Sequence, residues 1–357
     1  MMSIRWNNSP HLPAVMVVHG PEIFDYGNAA WLMERLLPRR TIVAGVMART
    51  AAEESGLPVE FDGRPPSRVI LDVEGPVFLA NHGKTPYSGR VFGDIVASRL
   101  GTRGLVQVDC SDKKVCCWHG GDLMLANTLA GLTGYTLQEL ITTTQPLRHT
   151  RHTRHIRGCI PGEPVYVNGI IIGRATAETV MLRSDGKKIV PVSGLEVKQH
   201  GLEKLLHAGS IDIRTAWCKS GTVRSAAARG GSRAGRHGRV VVIDHCGHEI
   251  YDRLAGDCCG VLAIGDDTTA VCGHICVHRG IPVLGITDGD PDAIIPSAFA
   301  PGSLVLDARP FRDDDIGREI GGMVPEGPVV WEDWVQENVD RYAGRLTVVL
   351  DIREPDP

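Results

Sequence analysis

The sequence predicts an α/β fold: two Rossmann-like parallel-sheet α/β domains, open to reading as a duplication, separated by a small antiparallel β module. Three observations lead there. Short unbroken apolar runs alternate with helical stretches in both halves, as expected of strands buried on both faces. The middle stretch, GEPVYVNGIIIGRATAETVMLRSDGKKIVPVSG, has β-branched runs, Gly turns and the hairpin signal Ser184-Asp185-Gly186 instead. The 357 residues, 43% hydrophobic and 22% charged, suffice for two or three soluble domains. The boundaries read as an α/β domain over 1–146, a basic linker over 147–161, the β module over 162–215, and a second α/β domain over 216–357.

The elements follow in order. Val15–Val18, Thr41–Val46, Val69–Leu71, Val77–Ala80 and Leu105–Val108 have the apolar, β-branched character of buried strands. Asn28–Leu37, Ala51–Ser55 and Gly89–Leu100 have helical composition. The β module ends near Val197. The α/β rhythm resumes with strands at Val240–Ile243, Val261–Ile264, Val283–Ile286 and Leu304–Leu306, a crossover helix over Thr268–Arg279, a helix over Trp331–Tyr342 and a last strand at Leu346–Leu350. Three pairs of short matches recur in the same order in both halves. They are Gly20–Asp25 with Gly247–Asp252 (G-x-E-I-aromatic-D), Gly56–Val59 with Gly280–Val283, and Val69–Asp72 with Leu304–Asp307.

Composition narrows the function classes. A net charge of −4 argues against whole-molecule nucleic-acid binding, although two basic stretches, Leu147–Arg157 and Ser220–Arg239, have the character of linkers or anion-binding arms. MMSIRWNNSPHLP lacks the apolar run of a signal peptide, and no stretch approaches membrane-spanning length, so a cytoplasmic location is expected. Ten cysteines without secretory features fit a reducing compartment.

The strongest regularity is acidic. Strands of the second half end in Asp244, in Asp266 and Asp267, in Asp288 and Asp290, and in Asp307. Strands joined by crossover helices run parallel, so these carboxylates belong to one sheet edge, where open α/β sheets bind ligands. Clustered carboxylates repel unless a cation neutralises them, and oxygen-rich sites suit Mg²⁺, which commonly pairs with phosphate. Asp266, Asp267, Asp288 and Asp290 are therefore the expected metal residues, with Asp244 and His245 as catalytic acid–base candidates. Thr268, Thr269 and, in the first half, Lys84 before a helix start are candidates for holding the anionic cofactor or ligand. Helix capping and turn formation are the competing explanation for the aspartates.

The cysteines read differently. Cys272, His274, Cys276 and His278 alternate, and on a helix each step of two turns about 200°, which splits the cysteines from the histidines. Cys110, Cys116, Cys117 and His119 follow a strand and form the alternative site, for a metal or thiol cofactor in a non-catalytic binding or assembly protein. His245, Cys246 and His248 form another strand-end group.

Three resemblances add to this reading. Gly265-Asp266-Asp267-Thr268-Thr269 resembles the GGD loops of phosphofructokinases and NAD kinases, with Ile264 in place of the first glycine; that resemblance implies contact with nucleotide phosphates or metal. Asp288, Asp290 and Asp292 resemble the acidic triplet of Toprim sites, with Asp244 where that family has glutamate. Through Asn81–Gly93, His200–Leu205 and Gly265–Asp290, most of the chain resembles an uncharacterised protein family of methanogenic archaea. That likeness implies a cytosolic, anaerobic setting and no substrate. The expectation is a metal-dependent enzyme of phosphoryl-transfer or phosphate-ester type, taking a phosphorylated or nucleotide-like small molecule at the carboxyl edge of the second sheet, with no membrane partner.

Overall fold

The computed structural model describes residues 12–141, 152–186, 188–207, 209, 211–213, 215–221, 224, 226, 230, 236–254, 256–288 and 299–353. The chain divides into two compact units, Met1–Cys159 and Ile160–Pro357.

In the first unit, β1 (Leu12–His19), β2 (Pro38–Ala44), β3 (Glu60–Asp62), β4 (Val77–Asn81), β5 (Leu105–Asp109), β6 (Lys114–Trp118) and β7 (Thr136–Leu140) form one sheet in the order β3-β2-β1-β4-β5-β6-β7. β1 to β5 are parallel to their neighbours; β6 reverses against β5. The helices are α1 (Glu22–Asp25), α2 (Asn28–Leu36), α3 (Val46–Ser55), α4 (Pro66–Asp72), α5 (Pro86–Arg99) and α6 (Leu123–Thr133). Alternate residues of β1 enter opposite cores. Ala14, Met16 and Val18 join Leu32 and Leu129, while Val15 and Val17 join Ile70 and Val96. Burial on both faces explains the unbroken apolar runs. A further strand, β8 (Thr153–Arg157), closes this stretch, and its Arg157 pairs with buried Asp94 at 2.8 Å.

One expected strand is a helix. Val69–Leu71 lies inside α4, which starts with Pro66 at its first position after Pro65. Proline's fixed φ suits the first helical turn, and that overrides the β-branched composition. Val69 and Ile70 are both buried while Leu71 is exposed, a helical rather than an alternating pattern.

In the second unit, β9 (Pro164–Val167), β10 (Ile170–Ala175), β13 (Leu195–Val197) and β14 (Cys218–Ser220) form an antiparallel sheet ordered β13-β10-β9-β14. β11 (Thr179–Asp185) and β12 (Lys188–Ser193) pair antiparallel around the expected Ser184–Gly186 turn. Helix α7 (Gln199–His207) follows, with Gly201 so close to the Ile171 carbonyl that no Cβ would fit. Then come β15 (His237–Asp244), β16 (Cys258–Ile264), β17 (Val283–Thr287) and β18 (Leu304–Asp307), four consecutive parallel strands lying side by side in chain order. β19 (Val329–Val330) and β20 (Thr347–Asp351) flank them antiparallel. Their helices are α8 (Ile250–Arg253), α9 (Asp266–Arg279), α10 (Asp313–Gly321) and α11 (Trp331–Arg341). α10 and α11 cover one face through Ile316, Ile320, Trp331 and Trp334. α9 lies on the other, where Gly285 admits Thr269.

The two units share a local path and then part. Each has a strand, a helical connection (α1 and α2 in the first unit, α8 in the second), a second strand, a glycine with φ 100°, a helix, and an αL glycine before the third strand; the pairs are Gly45 and Gly265, then Gly56 and Gly280. A Cβ on Gly45 would sit 3.0 Å from the His19 ring, and one on Gly265 would sit 3.0 Å from the His245 ring. The paths diverge afterwards. β4 returns to the far side of β1, while β18 continues outward from β17. The third sequence match therefore sets a helix, α4, against a strand, β18, and carries no structural equivalence.

Candidate functional site

Parallel pairing brings the ends of β15, β16, β17 and β18 to one rim, as the acidic strand ends require. The carboxylates there do not all converge. Asp307 turns to Arg309, accepting from Nε at 2.9 Å and Nη2 at 2.6 Å. Asp244 accepts from His245. The two central residues, Asp266 and Asp288, meet each other, and the third member comes from α10. Oxygen atoms of Asp266, Asp288 and Asp313 lie within 4.8 Å of one another.

The backbone explains this convergence. Asp266 is the first residue of α9, after Gly265, so neither Asp266 nor Asp267 is the helix cap. Asp266 Oδ1 instead accepts from the Asp288 backbone N–H at 3.1 Å, tying two neighbouring strand ends together. Gly317 of α10 lies against the Ile264 side chain, too near for a Cβ, which brings the start of α10 over the end of β16.

Lys204 of α7 completes the cluster. Its Nζ lies 2.7 Å from Asp288 Oδ2 and 3.1 and 3.2 Å from the two Asp313 oxygens. His200 Nε2 lies 3.2 Å from Asp288 Oδ2. Burial, reinforced by Asp288, pushes the Asp266 carboxyl well above the usual carboxylate range, which favours its protonated form. Burial pushes Asp288 the same way, but the Asp266 proton and the Lys204 ammonium outweigh it and hold Asp288 below the usual carboxylate range. Asp313 is raised by burial against the pull of Lys204. Burial lowers Lys204, and Asp313 and Asp288 more than reverse that. Asp288 Oδ1 is buried with no N–H or hydroxyl donor among the described residues. A proton and an ammonium thus face three carboxylates, which leaves one negative charge of the cluster unbalanced.

His245 stands beside this cluster in the left-handed region, φ 52°. Its Nδ1 lies 2.5 Å from Asp244 Oδ1, and its Nε2 lies 3.5 Å from Asp314 Oδ1. Desolvation alone would lower its pKa; the Asp244 hydrogen bond and the nearby Asp314 reverse that and raise it. Asp244 is correspondingly lowered, first by the His245 hydrogen bond. The raised histidine contributes stability below its unfolded value near 6.5, and that contribution is lost as pH rises through its folded value. The lowered Asp244 contributes above its unfolded value near 4, and that contribution is lost as pH falls. The pair is therefore worth most between about pH 4.5 and 6.5, on the order of 1 kcal/mol for a partly exposed pair. Urea unfolding of wild type and His245→Gln should show a stability gap that narrows from pH 6 to pH 8.5; a gap that widens contradicts the pairing.

Two pockets open here. A small one of ≈ 30 Å³, room for a water molecule, is lined by Gly265, Asp266, Asp267, Thr268, Lys198 and His200 among others. A larger one of ≈ 690 Å³ is lined by Lys204, Asp244, His245, Arg312, Asp314 and Arg318, with an apolar wall including Ile170 and Leu205.

The expected residues are placed as follows. Asp266 and Asp288 converge; Asp267 and Thr268 line the small pocket beside them; Asp244 and His245 line the larger one. Thr269 is fully buried beneath Gly285. Lys84 lies in the first unit, between β4 and α5, and Asp290 lies outside the described residues. Cys272 and Cys276 are core residues of α9 with no exposed surface. The other cysteine group does not assemble. Cys116 and Cys117 are successive residues of β6 and enter opposite cores, Cys117 with Cys110. Burial pushes the Cys110 and Cys116 thiols up to about 12, as expected of buried core cysteines. Asp313 and Lys204 were not expected. The run Asp313-Asp314-Asp315, which opens α10 a short loop after β18, was the available signal for the first; nothing local marks the second.

A family model described as "Uncharacterized protein conserved in archaea (DUF2117)" matches residues 16–327. The chain belongs to this DUF2117 family. A curated relative of the DUF2117 protein, an uncharacterised protein of Methanocaldococcus jannaschii, is 30% identical over 325 residues, covering 85% of this chain and 89% of the relative. No solved structure matches the DUF2117 chain significantly. Among its described residues, no helix is long and apolar enough to cross a membrane.

Proposed function

We propose that this DUF2117 protein is a divalent-metal-dependent enzyme acting on a phosphorylated or nucleotide-like small molecule at the carboxyl edge of the second unit's sheet. One observation carries the reading: three buried carboxylates from three separate elements converge within 4.8 Å. An all-oxygen donor set suits a hard cation such as Mg²⁺. The donors fit one chemically, because a proton on Asp266 and the Lys204 ammonium supply only part of the balancing charge, and Asp288 Oδ1 has a coordination position to give. Asp266, Asp288 and Asp313 would hold the ion; Mg²⁺ supplies Lewis-acid polarisation of a phosphoryl oxygen when bound.

The chain's own groups have distinct roles. Lys204 places a positive charge beside the bound phosphate. His245, oriented by Asp244, borders the larger pocket and, in its protonated form, is suited to deliver a proton to a leaving oxygen. Asp267 and Thr268 line the entrance to the cluster. The rival reading, a metal or thiol cofactor on Cys110, Cys116, Cys117 and His119, has less support, because β6 sends its two cysteines to opposite faces. We also infer that the shared path from first to third strand in the two units reflects a partial duplication.

Titration with Mn²⁺, followed by electron paramagnetic resonance, tests the proposal. One Mn²⁺ per chain is expected, displaced by Mg²⁺, with Kd below roughly 1 mM. Absence of saturable binding in that range overturns it.

A further inference from the structure

We infer that the larger pocket binds a second anionic group, a phosphate or carboxylate on the ligand's organic portion, through Arg312 and Arg318. The inference rests on the metal–phosphate reading of the neighbouring cluster and deepens it: the substrate carries two separated anionic groups.

The two guanidiniums flank one carboxylate. Arg312, which caps α10, donates from Nη2 to Asp314 Oδ2 at 2.8 Å. Arg318, further along α10, lies 4.0 Å from Asp314 Oδ1 and 3.5 Å from Asp244 Oδ2. Both arginines line the pocket, with side chains 41% and 61% exposed. Each guanidinium has five N–H donors, and Asp244 and Asp314 occupy only part of that capacity. The carboxylates hold the guanidinium planes while donors stay open to a ligand, the arrangement that favours bidentate recognition of phosphate or carboxylate.

Charge and shape agree. Arg312, Arg318, Lys204 and His245 line the pocket together with Asp212, Asp244 and Asp314, and the two guanidiniums are far more exposed than the Lys204 ammonium. The same lining includes Ile170, Leu205, Ile211 and Ala216, which offer apolar surface to a carbon skeleton. The volume of ≈ 690 Å³ is that of a small-molecule site. Lys204 and His245 border both pockets, so one ligand can span them.

Calorimetric titration of the full-length protein with inorganic phosphate, and separately with malonate, in the presence of chelator tests this, since chelation removes the metal-dependent arm. Wild type is expected to bind at least one of the two anions saturably, and the tighter one identifies the group. The double variant Arg312→Gln/Arg318→Gln is expected to bind it at least tenfold more weakly, and the Arg→Lys double variant between the two. Mn²⁺ affinity, measured in parallel, is expected to stay within twofold in both variants. Equal anion affinity in wild type and the Gln variant, or no saturable binding of either anion to wild type, overturns the inference while Mn²⁺ binding stands. Loss of Mn²⁺ binding in wild type instead overturns the metal reading.

Discussion

Lys204→Met is expected to cost about 3–5 kcal/mol of stability, the range for breaking a buried charge pair. The lysine side chain is 11% exposed and its ammonium contacts both Asp288 and Asp313, the latter wholly buried. Methionine preserves most of the stem's volume, so the loss is that of charge rather than of packing. Two buried carboxylates are left without their cation, and buried carboxylates without compensation are costly. Urea unfolding near pH 7.5 measures the effect. Mn²⁺ should return part of the lost stability, because an ion bound only to the folded state stabilises it by mass action. A loss below about 1 kcal/mol, the level of a surface ion pair, contradicts this account of the cluster.

Asp313→Asn is expected to lower Mn²⁺ affinity about 100-fold, corresponding to about 2.7 kcal/mol. Asparagine keeps the shape and one oxygen but removes the charge from one of three ligands, and for hard cations ligand charge dominates affinity. Asp267→Asn is the control. Asp267 lines the small pocket but does not belong to the converging triad, so its neutralisation should change affinity by no more than roughly threefold. Equal losses from the two substitutions would place the ion elsewhere on the rim.

Much of the fold was legible because parallel strands covered on both faces leave an unbroken apolar signature; β1, β16 and β17 are examples. Val69–Leu71 misled because its β-branched residues sit in a helix that two prolines start. Of the site, the strand-end aspartates were legible from chain direction alone: parallel strands must present their ends together. Which of them meet was not, because it depends on neighbouring side chains. Asp307 is drawn off by Arg309 and Asp244 by His245, which leaves Asp266 and Asp288 to pair. Asp313 depends on α10 crossing back over β16 at Gly317, and Lys204 on α7 packing against β10 at Gly201. Those are tertiary placements with no local sequence period. The histidine was legible as a strand-end residue, but not its clamp. Gly265 leaves room for the imidazole, and Gly169 sits against the His245 carbonyl.

The most direct measurement is an anomalous-difference map from a crystal of the full-length protein grown with Mn²⁺. The account predicts one strong peak in the second unit, with carboxylate oxygens of Asp266, Asp288 and Asp313 at roughly 2.0–2.6 Å, the span for hard divalent cations. A map with no peak at that cluster at saturating Mn²⁺, or with its peak on the cysteines of β6, would contradict it.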